Sequence, residues 1–377
     1  MDLKKIFVLM FVVVSVVLTS GCITTDTPVP EEGMTTITDA FDRTITIPEN
    51  PQKIAVVGSG SLRYFMYLGL PSELFVVVDF QDSNAHPNPD DVRPYGLAHP
   101  ELKEIDAIGS SRGTVDNERL LLSGADVLFM AGTSSSNVEI ANEIQEKTGV
   151  PVVMFYTGNY VTDSDKIRES LMMIASIFHV EDRAIDVLAY FDTLEMDLKD
   201  RAARSSGEKP TVYVAGISYA GSNGIEGTNP DFYPFEVLSA NNVAGSIVQN
   251  TSTGYARIAK EKLLEWDPEI IFVDLSTLRP AQGGAIEQME TDPSYKELKA
   301  VKNGNIYTIN PETTMGANHE TTLANAYFIG TILYPEEFAD INPIEKANEI
   351  YSYVVGAPVF EQLKENSNGL SYQRLDF

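Results

Sequence analysis

Glu181-Asp-Arg-Ala-Ile-Asp-Val-Leu-Ala-Tyr-Phe-Asp-Thr-Leu-Glu-Met-Asp-Leu-Lys-Asp-Arg-Ala-Ala203 is the stretch on which the fold turns. Ala184, Val187, Leu188, Phe191, Leu194 and Leu198 recur at steps of three and four, which lays them along one stripe of a helix. Glu181 and Asp182 open the segment, and Lys199, Arg201 and Arg204 close it, the order that a helix dipole favours. A helix over 181–204 rises about 1.5 Å per residue and is roughly 35 Å long, enough to reach across two lobes. Periodicity alone equally allows that helix to lie along one domain, so the alternative stays open here.

The flanks favour two lobes. Before the helix, short apolar runs at Ile54–Val57, Phe75–Val78, Val127–Met130 and Val152–Phe155 read as buried parallel strands. Leu62–Tyr67 and Val138–Thr148 carry helical spacing between them. After the helix the same grammar returns at Thr211–Ala215, Ile270–Asp274 and Asn305–Ile309. Strand and helix alternate on both sides, while 163–205 has no strand signal. The expectation is an α/β protein with mainly parallel sheets. An N-terminal lobe over 37–162 and a C-terminal lobe over 206–377 flank a helical connector over 163–205. A chain of 377 residues can give each lobe its own core.

The first 21 residues read as a targeting segment rather than fold. Lys4 and Lys5 precede a continuous apolar run from Ile6 to Leu18, of signal-peptide length and short for a membrane span. Leu18-Thr19-Ser20-Gly21-Cys22 follows and resembles a lipobox, whose cysteine carries lipid at the mature N-terminus. Cys22 is the only cysteine, so no disulfide, thiolate metal cluster or cysteine nucleophile is expected. The competing reading is an incidental cysteine beside a cleavage site. Residues 22–36, rich in Thr, Pro, Glu and Gly, read as a flexible tether.

Lys and Arg total 27 against 54 Asp and Glu, a formal charge of -27. Such a surface repels phosphate backbones, so nucleic acid is not an expected partner. Gly58-Ser-Gly-Ser lacks the Gly-x-Gly-x-x-Gly that cradles a dinucleotide, and no phosphate-binding Gly-x4-Gly-Lys-Ser/Thr loop exists. No Gly-x-Ser-x-Gly elbow is present either. No catalytic residue and no resident cofactor is therefore expected.

Four further segments carry a family resemblance. Asp39-Ala-Phe-Asp-Arg-Thr-Ile-Thr-Ile-Pro48 with Pro51-Gln-Lys-Ile54 is one. Asn117-Glu-Arg-Leu-Leu-Leu-Ser-Gly-Ala-Asp-Val-Leu-Phe129 and Lys260-Glu-Lys-Leu-Leu-Glu-Trp-Asp-Pro-Glu-Ile-Ile-Phe272 are matching pieces of the two lobes. Lys299-Ala-Val-Lys-Asn-Gly-Asn-Ile-Tyr307 is the last. In this order they resemble the periplasmic binding proteins of iron-siderophore, haem and cobalamin ABC importers, with Ala125 where that family usually has Pro. Arg93-Pro-Tyr-Gly-Leu-Ala-His-Pro-Glu-Leu102 and the stretch from Ile225 to Val243 resemble its iron-complex subgroup. The resemblance implies two lobes joined by one long helix, a ligand cleft between them, and limited hinge opening. It also implies a monomer, tethered through Cys22 to the outer face of the membrane, which delivers an iron chelate to an ABC permease dimer and its ATPase. A haem or corrinoid receptor, and a surface sensor on the same fold, are the alternatives.

The resemblance assigns permease docking to Glu118 and Glu261, each at the start of a helix. A carboxylate in a first turn also offsets the helix dipole, so a purely structural role competes. Ligand contacts are expected where strand ends of the two lobes face each other. The candidates are Arg63 within Gly58–Arg63, Arg93, Tyr95, His86 and His99 from the first lobe, and Tyr219, Glu226, Tyr233, Phe235, Arg279, Asn318 and His319 from the second. Arg and Tyr suit an anionic, oxygen-rich chelate through guanidinium forks and phenol faces. Each also has a plain surface or core explanation. His86, His99, His179 and His319 are the only histidines and show no metal-ligand spacing, so a bare transition metal is not the expected cargo. His179 reads as a helix C-cap, and His319 as a cap or an axial ligand.

Overall fold

The computed structural model describes residues 32–377 apart from residues 87, 89, 159, 220, 248–253 and 279–283. Cys22, the targeting segment and Arg279 therefore lie outside the described residues.

The chain enters through a hairpin. Strand β1 (Met34–Thr38) pairs antiparallel with β2 (Thr44–Pro48), so ordered pairing starts at Met34, inside the stretch expected to be tether. The first lobe is then built from β3 (Ile54–Val57), α1 (Leu62–Tyr67), β4 (Phe75–Val78), α2 (Pro94–Ala98), α3 (Asn117–Ser123), β5 (Val127–Gly132), α4 (Ser136–Thr148) and β6 (Val152–Tyr156). Its strands form a parallel sheet in the order β4-β3-β5-β6. Both faces are covered, which is why these strands are apolar along their length rather than alternating.

Helix α5 (Tyr160–Ile177) leads into α6 (Glu181–Arg204). His179 sits in the break between them with φ 55°, the left-handed conformation common where a helix terminates. Along α6, Ala184, Val187, Phe191, Leu194, Leu198 and Ala202 are buried, while Leu188 lies at the margin of the stripe. Asp197 and Arg201 near its end hold Tyr327 and Asp340.

The second lobe contains β7 (Thr211–Ala215), β8 (Gly227–Thr228), α7 (Tyr233–Val237), β9 (Asn241–Asn242), β10 (Ala256–Arg257), α8 (Lys260–Trp266), β11 (Ile270–Asp274), α9 (Ala285–Thr291), α10 (Lys299–Lys302) and β12 (Ile306–Ile309). Helices α11 (His319–Leu333), α12 (Pro343–Val355) and α13 (Phe360–Asn366) follow, and β13 (Arg374–Leu375) ends the chain. The sheet order is β13-β12-β11-β7-β9, parallel except for β13. The fold is thus α/β, with two mainly parallel sheets joined by α6. One apolar cluster runs through α1, α6, α11 and α12 and so fuses the lobes from behind. No helix among the described residues is long and apolar enough to cross a membrane.

Candidate ligand-binding cleft

In a parallel sheet the loops after the strands gather at one edge. Here both sheets turn that edge toward the same space. Ser59 and Gly60 follow β3, Thr133 follows β5, Thr157 follows β6, and Ser218 follows β7. Glu312 and Gly316 arrive on the loop after β12. Together with Arg63, Tyr64, Asn229, Asp231, Tyr233 and His319 they line a cavity of about 260 Å³. A second recess, about 570 Å³, adjoins it through the shared residues Ser218, Thr313 and Gly316, and adds Arg112 and Tyr219.

The floor is where the lobes touch. Gly60, at φ 65°, comes so close that a Cβ there would lie 2.1 Å from the Met315 carbonyl oxygen of the other lobe. A side chain would force the lobes apart, so glycine is required at this crossing. Beside it, Arg63 donates through Nη2 to the Met315 carbonyl at 3.0 Å. Its guanidinium lies 5.4 Å from the centre of the Tyr95 ring. The Arg63 residue is only 2 % exposed, its Nε has no hydrogen-bond partner, and no carboxylate stands within salt-bridge distance among the described residues. A buried cation in that position normally has an anion.

Burial acts against ionisation of the carboxyls nearby. Burial pushes the Glu320 carboxyl above its ordinary range, against the opposing pull of Arg63 and of its hydrogen bond with the Tyr67 hydroxyl. Burial, helped by the Asp274 charge, does the same to Glu312 more strongly. Burial and the Arg63 charge hold His319 down at about 3, so the imidazole is neutral at physiological pH. Arg63 is thus a buried cation on a wall of hydroxyls and amides, beside carboxyls whose protonated form burial favours, an arrangement suited to an anion with several acceptor oxygens.

The expected site residues divide. Arg63, Tyr233 and His319 line the inner cavity, and Tyr219 lines the recess, stacked on Tyr255 with centroids 5.0 Å apart. Asn318 is buried beneath the loop, its side chain directed to the carbonyls of Glu312 and Thr314. Arg93 and Tyr95 are not in the lining. Arg93 is forked onto Asp91 with two bonds of 2.8 Å, and also holds Asp82 and the Tyr95 hydroxyl. Buried acids satisfy that guanidinium, so it orders the segment between β4 and α2 instead of facing the cleft. Glu226 is likewise taken up by Arg257 at 3.2 Å and the Tyr295 hydroxyl at 3.1 Å. His99 binds the Val355 carbonyl, His86 packs on Phe80, and Phe235 is core. No group of three or more His, Cys, Asp or Glu suited to a metal ion occurs among the described residues.

Thr133, Thr157, Ser218 and Glu312 are cavity residues that sequence reasoning missed. Each follows a strand end, and that position was the available signal. Glu118 and Glu261 are exposed in the first turns of α3 and α8. On α3, Leu121 (53 % exposed) and Leu122 (80 %) stand three and four residues beyond Glu118, on the same face.

Comparison with known proteins agrees with this architecture. The molybdate-binding protein MolA of Haemophilus influenzae is 23% identical over 337 residues, 84% of this chain and 89% of that one. The iron(3+)-hydroxamate-binding protein FhuD of Bacillus subtilis is 22% identical over 278 residues, 71% of this chain and 76% of the relative. The structure of MolA bound to molybdate superposes with a TM-score of 0.63 at 22% identity, over 85% of this chain and 98% of that one. The periplasmic binding protein family model matches residues 54–313, and the chain belongs to that family.

Proposed function

We propose that this chain is the extracytoplasmic substrate-binding component of an ABC importer, and that its inner cavity takes a small, oxygen-rich anion of the molybdate class. The observation that carries the reading is Arg63, a buried guanidinium on the cavity wall with no carboxylate partner within salt-bridge distance among the described residues. A cavity of about 260 Å³ lies at or below the lower limit for drug-sized ligands and suits a compact oxyanion. The relative named for molybdate supports the same class. A ferric chelate, the expectation from sequence, is the second reading. It is favoured by the adjoining recess, where Arg112 and Tyr219 offer a cation and an aromatic face to an organic body. The relative named for iron hydroxamate supports it.

Titration calorimetry with molybdate, sulfate and ferric citrate separates the two. Micromolar or tighter molybdate binding without ferric citrate binding supports the oxyanion, and the reverse supports the chelate. Binding of neither refutes both. Native mass spectrometry of protein purified from its own host names the natural cargo. Delivery would use Glu118 and Glu261, whose exposed helix starts fit an arginine-bearing permease surface, with Leu121 and Leu122 adding apolar contact. Cys22 would carry the lipid anchor; Cys22→Ser is expected to move the protein from the membrane to the soluble fraction, and unchanged membrane association would refute the anchor.

A further inference from the structure

Glu312 has the wrong sign for an anion site unless it holds its proton. It stands on the loop after β12, 8 % exposed, and lines the inner cavity with Arg63 and His319. Its Oε2 is buried without a hydrogen-bond partner among the described residues, while the residue itself reaches the cavity wall. Behind it Asp274, the last residue of β11, accepts the Glu312 backbone N–H through Oδ2 at 3.4 Å and the Ser276 N–H through Oδ1 at 2.8 Å. Arg63 and Tyr64 from α1, His319 and Thr322 from α11, and Asp231 and Tyr233 at the start of α7 share the cavity wall with Glu312, and Asp274 from β11 stands behind it. Two buried carboxyls so placed do not both ionise readily.

Resting on the reading of this cavity as the substrate site, we propose that Glu312 determines its specificity: as a neutral acid it donates a hydrogen bond from its carboxyl group to the bound anion, and once ionised it expels that anion. The cavity then selects an anion whose oxygens all accept over one that must donate a hydroxyl proton. Arg63 supplies the charge and Glu312 the proton. Burial and the Asp274 charge keep the Glu312 acid protonated well above the usual carboxylate range, with a Thr322 hydrogen bond opposing them. Burial raises Asp274 to about 6, and its charge, once present, reinforces the hold on Glu312. His319 stays neutral throughout and does not contribute a competing titration.

The test is calorimetry on the full chain with molybdate, and in parallel with ferric citrate, from about pH 6 to about pH 9 at fixed ionic strength. Wild-type affinity is expected to fall about tenfold or more across that range for the probe that binds, the value of one charge-assisted hydrogen bond. Glu312→Gln keeps the size and the donor without the titration, so it should retain the low-pH affinity with a flat profile. Asp274→Asn removes the neighbouring charge and should bring the wild-type loss to lower pH, which provides a test independent of how well Glu312→Gln folds. A flat wild-type profile, affinity that rises with pH, or an identical slope in Glu312→Gln overturns the inference and leaves the cavity assignment standing. Failure of both probes at every pH overturns the assignment and the inference together.

Discussion

Arg63→Met separates a binding cation from a structural one. Methionine keeps most of the length and the apolar contact with Tyr95, and removes the charge. In the empty protein the substitution loses the hydrogen bond to the Met315 carbonyl at 3.0 Å, worth about 1.5–3 kcal/mol for a charged donor. It also relieves burial of a charge without a carboxylate counterion, whose cost is several kcal/mol. These effects offset, so unfolding free energy without ligand should change by less than about 2 kcal/mol. Binding has no such compensation. Loss of the guanidinium should weaken anion affinity by about 100-fold or more, the equivalent of roughly 3 kcal/mol. Urea unfolding at fixed molybdate reads both effects. At a concentration 100 times the wild-type Kd, ligand stabilises the wild type by about 2.7 kcal/mol and a hundredfold weaker variant by about 0.4 kcal/mol. If the variant instead lost more than about 3 kcal/mol of its own stability while still binding within threefold of the wild type, Arg63 would be a structural residue and the anion site would be misplaced.

Three further outcomes are expected. The His319 imidazole titrates at about 3 in the folded protein and near 6.5 when unfolded, so the unfolded chain binds more protons between those values; stability should be full above about pH 6.5 and fall by up to about 1.4 kcal/mol per unit below it. His319→Gln should flatten that slope in urea unfolding from pH 6.5 to 4.5, and unchanged slopes would count against it. Glu118→Ala with Glu261→Ala should leave ligand affinity and stability within about 0.5 kcal/mol and abolish ligand-stimulated ATPase activity of the reconstituted importer; retained stimulation would remove the docking assignment. Arg93→Met leaves Asp82 buried with the Tyr95 hydroxyl and Asp91 buried with Lys103, each without the guanidinium, so it should cost about 3–5 kcal/mol in urea unfolding, with ligand affinity of the folded protein unchanged; a selective loss of affinity would put Arg93 back in the site.

What the sequence disclosed followed from local pattern. Buried parallel strands are apolar throughout, and Ile54–Val57, Phe75–Val78, Thr211–Ala215 and Ile270–Asp274 fall where those runs lie. The stripe from Ala184 to Leu198 is likewise local, and it is the buried face of α6. Partner choice is not local. Arg63 and Arg93 look alike in sequence, each near an aromatic residue, yet Arg93 has Asp91 two residues away and Asp82 eleven away. Among the described residues, Arg63 hydrogen-bonds only to the carbonyls of Thr314 and Met315, far along the chain. Only the fold decides which guanidinium is already neutralised. Glu312 escaped notice for the same reason, since an isolated acid in an acidic chain carries no mark until Asp274 is found behind it.

The same long-range pairing governs how the cleft can work. α6 is fastened to the first lobe through Arg183, which donates to the Tyr67 carbonyl at 2.9 Å, and to the second through Tyr327, whose hydroxyl donates to Asp197 at 2.8 Å. α12 packs on α1 and α2 as well as on α11, so the helices that end the second lobe reach back to the first. Opening by rigid rotation would have to break the Tyr67–Glu320 and Arg63–Met315 contacts at the cleft floor and expose part of the apolar cluster behind it. Polar contacts of this kind contribute about 1 kcal/mol each and buried apolar side chains about 1.5–3 kcal/mol each, which makes wide opening costly relative to a micromolar binding energy of about 8 kcal/mol. The loops after β3 and β12 meet at the Gly60 crossing and the Arg63–Met315 hydrogen bond, and the loop after β7 lines the same space. On the proposed reading, selectivity then rests with the Arg63 charge and the Glu312 proton, and the Arg63 side chain is held by packing that is already in place before the ligand arrives.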